Sequence, residues 1–93
     1  MATTATIAKK RIEFEFFAPQ AKEVQLAGDF NGWNPNKTPL KKDWEGKWRT
    51  SLSFPNGRYE YRFLVDGEWQ NEQRQCECVS NSFGTSNCVL QVR

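Results

Sequence analysis

Two tryptophans and an arginine stand where the packing of a small domain does not require them. Trp33 lies in Asn31-Gly-Trp-Asn-Pro35, a run of turn formers, so its ring belongs to a loop. Trp69 comes just after Asp66-Gly67, and Arg62 sits on the polar side of an alternating segment. A sugar ring offers an apolar C–H face and a rim of hydroxyls, and flat aromatic rings with a few charged or amide groups answer both. Each ring covers apolar surface at about 25 cal/mol per Å² removed from water. From spacing alone, the same tryptophans could instead plug the ends of the fold.

These residues must be positioned by strands. Arg11-Ile-Glu-Phe-Glu-Phe-Phe17 alternates, placing Ile12, Phe14 and Phe16 on one face, and Pro19 ends the run. Val24 and Leu26 continue the alternation as far as Gly28-Asp29. Gly46 to Phe54 predicts a third strand, with Trp48, Thr50 and Leu52 on one side. After the turn at Pro55-Asn-Gly57, Tyr59, Tyr61, Phe63 and Val65 recur at period two, and Arg58, Glu60 and Arg62 face the other way. Asp66-Gly67 between apolar runs predicts a hairpin whose type I′ turn needs positive φ. Cys88 to Val92 closes the sheet. No helical period is present, so several short strands predict an antiparallel β-sandwich of about residues 10–93, behind a loose N-terminal tail of residues 1–9.

Length and charge narrow the functions. Ninety-three residues predict one domain with a small core, while 14% aromatic residues exceed what that core can use. The net charge of +2 comes from 13 basic and 11 acidic residues in no long block, which argues against nucleic-acid and membrane partners. The start lacks the apolar core of a secretory signal, and no stretch is long enough to span a bilayer. With three cysteines and no such signal, reduced thiols in a cytoplasmic protein are expected. Cys76, Cys78 and Cys88 could supply three metal ligands. Without any histidine or a second Cys-x-x-Cys, partly buried strand cysteines are the preferred reading, and no cofactor is expected.

At the same residues the chain resembles carbohydrate-binding module family 48. The motifs are Val24-x-Leu-x-Gly-Asp-Phe-Asn-Gly-Trp33, Gly57-x-Tyr-x-Tyr-Arg-Phe-x-Val-Asp-Gly-x-Trp69 and Phe83-Gly-Thr-Ser-Asn87, spread over about residues 11–93. That family includes the glycogen-binding domain of the AMP-activated protein kinase β subunit and the N-terminal early-set domains of isoamylase and branching enzymes. The resemblance implies an immunoglobulin-like sandwich that binds α-glucans such as glycogen or starch without catalysis. It implies Trp33 and Trp69 as stacking platforms and Arg62 in place of the family's lysine. Phe83 would replace the leucine that inserts into the glucan, with Thr85 and Asn87 contacting sugar hydroxyls. Arginine keeps the charge but trades a flexible point donor for a planar fork. Cys76 and Cys78 fall where the family usually carries prolines.

Neighbouring residues take structural expectations. Phe30 is read as a core plug, Trp44 as a surface residue of a polar loop, and Asn31 and Asn34 as turn caps. Lys37, Lys41, Lys42 and Lys47 are read as a solvated face. Three other functions compete. Hydrolysis needs two carboxylates across the bond in a cleft. Asp29, Asp43 and Asp66 qualify by type, but Asp29 and Asp66 sit in turns that explain them and the chain has no room for a barrel. The family's association with glycoside hydrolase family 13 would make this an accessory domain of such an enzyme. A regulatory module docking a kinase or a glucan-metabolising partner would use exposed tryptophans as hot spots. Single-stranded nucleic acid would need a basic groove.

Overall fold

A computed structural model describes residues 9–74 and 76–93. Most of the expected N-terminal tail, residues 1–8, lies outside the described residues. Eight strands form two antiparallel sheets: β1 (Lys10–Phe17), β2 (Val24–Gly28), β3 (Lys41–Lys42), β4 (Lys47–Phe54), β5 (Gly57–Val65), β6 (Glu68–Gln70), β7 (Glu77–Ser80) and β8 (Ser86–Val92). One sheet has the order β1-β4-β3; the other runs β2-β5-β8-β7, with β6 also paired to β5. Three-residue 3₁₀ turns at Asp29–Asn31 and Pro35–Lys37 supply the helical geometry among the described residues.

Alternation puts the large side chains between the sheets. Phe14 and Phe16 of β1 and Trp48 and Phe54 of β4 pack against Val24, Leu26, Tyr61, Phe63, Val65, Cys88 and Val92 of the facing sheet. Phe14 meets Tyr61 edge to face with ring centres 5.2 Å apart, and Phe16 meets Phe63 at 4.9 Å. The indole N–H of Trp48 donates to the Ala18 carbonyl at 2.8 Å, so this buried ring keeps its polar end paired. Phe30 packs on Phe14 and Phe54 as a core plug, as the sequence suggested.

The predicted hairpin forms after β5. Asp66 and Gly67 have φ of 48° and 84°, the two positive values that a type I′ turn demands. Asp66 is further held because its Oδ1 accepts the backbone N–H groups of Lys22 and Glu23. β6 and β8 lie end to end along one edge of β5: β6 pairs Phe63–Val65 and β8 pairs Gly57–Tyr61. Arg62 falls at the junction. At the other end of the sandwich, Lys10 pairs with Phe54 and Val92 pairs with Gly57, on either side of the β4–β5 corner.

The cysteines differ in part from the sequence reading. Cys88 is buried in β8, but Cys78 is exposed on the edge strand β7, and Cys76 precedes that strand, half-buried. β7 is the edge of its sheet and has a neighbour on one side only, which leaves Cys78 in solvent while Cys88 on β8 is enclosed. No helix among the described residues is long and apolar enough to cross a membrane.

Candidate functional site

The outer face of the five-stranded sheet carries the polar half of β5. Arg58, Glu60 and Arg62 point away from the core, and Trp69 of β6, paired to Leu64, joins them on that face. Arg62 is fixed by two bonds: its Nε donates to Asn71 Oδ1 at 2.7 Å and its Nη1 to Thr85 Oγ1 at 3.2 Å. Asn71 in turn donates to Ser86 Oγ. The guanidinium therefore bridges the end of β6 and the start of β8, while its Nη2 donors have no protein partner among the described residues.

The turn between β7 and β8 is shaped by Asn81. Its Oδ1 accepts the backbone N–H groups of Phe83 and Thr85 at 2.9 and 3.1 Å, and Gly84 takes the positive φ of 82° that closes the turn. Phe83 is thereby held out in solvent, 88% exposed. Such a ring has no packing reason to be there. Asn81 Nδ2 donates to Thr85 Oγ1 at 2.8 Å and to Asn87 Oδ1 at 3.0 Å. Asn87, only 8% exposed, donates to Glu60 Oε1 at 3.0 Å. Both ends of its amide are thus engaged within the protein. That bond, followed by the Arg58 guanidinium on the other carboxylate oxygen at 2.8 Å, holds the Glu60 carboxyl below the ordinary glutamate range.

The third wall comes from the loop after β2. Gly28 passes so close to β5 that a Cβ there would meet the Glu60 carbonyl and the Phe30 ring at 2.5 Å. Beyond it the chain turns through Gly32 and Trp33, at φ of 66° and 59°. For tryptophan this left-handed backbone costs on the order of 1–3 kcal/mol and persists only where its surroundings enforce it. Three bonds do so. The Trp33 N–H donates to the Gly28 carbonyl, its indole Nε1–H to Asp29 Oδ1 at 3.1 Å, and Asp29 Oδ2 accepts the Glu60 N–H at 2.8 Å. Asn31 and Asn34 cap the turn: Asn31 accepts the Gly28 N–H and donates to the Leu26 carbonyl and Thr38, and Asn34 accepts the Asn36 N–H.

Trp33, Arg62, Trp69, Phe83, Thr85 and Asn87, expected from sequence as one site, line a single groove of about 720 Å³. Its size falls in the ordinary range of ligand sites, about 300–1,000 Å³. Trp33 and Trp69 meet edge to face, ring centres 6.5 Å apart and planes at 65°, so they form a corner rather than a flat shelf. Glu60, Asn81 and Ser82 also line the groove and were not singled out beforehand, and with them stands Asp29, which the sequence offered only as a carboxylate explained by its turn. Glu60 was legible as two residues before Arg62 on the same face, and Asn81 as the Asx residue that Phe83-Gly needs.

The carboxylates of the groove are not poised for cleavage. Both oxygens of Asp29 accept protein donors, and Glu60, held low, stays ionised instead of serving as a proton donor. Asp43 and Asp66 are tied to backbone N–H groups elsewhere. Trp44, by contrast, lies outside the groove and is 92% exposed.

A family model described as the glycogen recognition site of AMP-activated protein kinase matches residues 11–93. Over 72 residues the chain is 38% identical to 5'-AMP-activated protein kinase subunit beta-1 of Sus scrofa, a match covering 77% of this chain and 56% of that protein. It is 36% identical over 72 residues to subunit beta-1 of Homo sapiens and 35% to subunit beta-2 of Mus musculus, covering 25% and 26% of those proteins. The chain thus corresponds to about half of the pig sequence and a quarter of the human and mouse ones.

Proposed function

Taking as premise that the chain belongs to the family of glycogen-recognition domains of AMP-activated protein kinase, we propose that it binds α-1,4-linked glucan chains in the groove between Trp33, Trp69 and Phe83. Recognition, with no bond made or broken, is its function. The observation that carries the reading is convergence. Segments separated by up to 54 positions bring two tryptophans, an exposed phenylalanine, an arginine, a threonine and an asparagine to one groove. The packing of the sandwich requires neither the exposed Phe83 nor the left-handed Trp33.

In this reading the Trp33–Trp69 corner receives the apolar faces of neighbouring glucose units, and the angle between the rings suits the curved path of an α-linked chain. The Nη2 donors of Arg62 take sugar hydroxyls, while the Thr85 hydroxyl, which accepts from Arg62 and Asn81 and donates to Asn81 Oδ1, contributes by holding the guanidinium in place. Asn87 contributes through Glu60 and Asn81, whose positions it fixes, as well as through any lone pair left to a ligand. An open groove of this kind gives dissociation constants from micromolar to millimolar, about −8 to −4 kcal/mol. A polymer presenting many sites raises the effective strength by avidity.

The test is a titration of the reduced protein with maltoheptaose and β-cyclodextrin, followed by tryptophan fluorescence, with cellohexaose as control. Saturation by the α-linked ligands alone supports the reading; silence at millimolar ligand, or equal binding of the β-linked chain, rejects it. A second occupant, a kinase subunit or glucan-metabolising enzyme docked on the domain, is favoured by Trp44. It is an exposed indole that the groove does not use.

A further inference from the structure

The three cysteines converge although they come from separate stretches of chain. Their sulfur atoms all lie within 4.8 Å of one another, and those of Cys76 and Cys78 are 3.7 Å apart. Cys78 and Cys88 are direct cross-strand partners, so both project from the same face of the β7–β8 ladder, and Cys76, two residues before Cys78, falls on that face too. We propose that Cys76, Cys78 and Cys88 form a three-thiolate site for one soft monovalent ion, Cu(I), distinct from the glucan groove.

The geometry suits an ion. With metal–sulfur bonds of about 2.3 Å, sulfur atoms around a trigonal centre stand about 4.0 Å apart. The present separations straddle that value, and Cys78, exposed on the edge strand, is the ligand with room to rotate. The thiols could simply be in contact with one another, but a second feature points to a ligand set. The backbone N–H of Glu72 donates to Cys88 Sγ at 3.1 Å, the outer-sphere bond that orients a coordinating sulfur and stabilises its anionic form. The site grades from buried Cys88 through half-buried Cys76 to exposed Cys78, which leaves an entry path.

Donor type selects the ion. The chain has no histidine, and among the described residues no carboxylate joins the three sulfurs as a fourth ligand. Structural zinc is closed by four protein ligands, whereas three thiolates with no fourth protein ligand suit the lower coordination number of soft Cu(I). Glu72 is nearby, but its carboxylate is taken by Tyr61 and Arg74. Each sulfur that ligates releases its proton to solvent, and Cu(I) enters without any electron transfer.

The experiment is anaerobic competition for Cu(I) between the reduced protein and bathocuproine disulfonate, with mass measured in parallel. One ion per monomer is expected. The double variant Cys76→Ser, Cys78→Ser, which spares the core residue, should lose at least about 100-fold in affinity, beyond the 10–100-fold typical of an outer-sphere change. Each single variant should weaken uptake as well. Retention of the ion by the double variant, one ion shared between two chains, or Zn²⁺ held as tightly as Cu(I) would overturn the assignment. Circular dichroism of each variant establishes that it is folded, so that a loss reports the site.

Discussion

Two turns of this molecule are nearly alike on paper and opposite in structure. Asp29-Phe-Asn-Gly-Trp33 and Asp43-Trp-Glu-Gly46 each start with aspartate, carry one tryptophan and need a glycine at positive φ. In both, the aspartate accepts N–H groups. Asp43 spends its Oδ1 on the backbone of Glu45 and Lys47 within its own turn, and its other oxygen meets Arg49. Asp29 reaches outward instead, to the Trp33 indole and to Glu60 on β5. Trp44 is consequently left in solvent, whereas Trp33 is clamped against Trp69. The turn whose aspartate holds its ring lines the groove, and the turn whose aspartate is spent on its own backbone and on Arg49 leaves its ring in solvent.

The sharpest way to break that contrast is to remove the rings. Trp69→Ala and Trp33→Ala should each weaken maltoheptaose binding at least about 30-fold, the roughly 2 kcal/mol of a hot-spot residue, as read by calorimetric titration on folded protein. Next comes Asp29→Ala, at a carboxylate whose two oxygens are both engaged by protein donors. By releasing the Trp33 indole and the Glu60 N–H it should cost about 1–2 kcal/mol of affinity and lower the thermal midpoint; affinity equal to the parent would show that the clamp is incidental.

Acid should act more gently. The Glu60 carboxyl is held below its ordinary value of 4.5, so its contribution is present at higher pH and is lost as pH falls through the lowered folded value. Binding should be flat from neutral pH to about 5 and weaken only as pH falls through that lowered value, modestly because the group is partly exposed. In Glu60→Gln the same pH series should show no such step. Smallest of all is Trp44→Ala, for which glucan affinity should stay within twofold; a larger loss would extend the groove to the second turn and erase the contrast.

Much of this was legible in the chain. The alternation of Phe14 and Phe16, of Val24 and Leu26, and of Tyr59 through Val65 named the inward faces correctly, and Asp66-Gly67 named its own turn. The strands that escaped notice were β3 and β7, while β6 was implied only as the second arm of the Asp66-Gly67 hairpin. Their side chains are mostly exposed, so no apolar period marks them; β7 exists because β8 offers it a register. In the groove, aromatic residues stood out by type. Asn71 did not, and Glu60 and Asn81 could be read only as a face and a turn, because polar side chains acquire their partners only when segments far apart in sequence meet. The nearness of three sulfurs was equally hidden, since it depends on pairing Cys78 with Cys88 across the β7–β8 turn.

The pairing of Lys10 with Phe54 and of Val92 with Gly57 brings residues 10 and 92 to one corner of the sandwich. Val92 stands about 17 Å along β8 from Asn87 at about 3.4 Å per residue, at the opposite pole from the groove. A partner joined at Lys10 or Val92 therefore starts from the pole away from the groove. The same closeness would let the two ends be spliced by a short linker and the chain reopened in the Trp44 turn, giving a circular permutant with the binding face undisturbed.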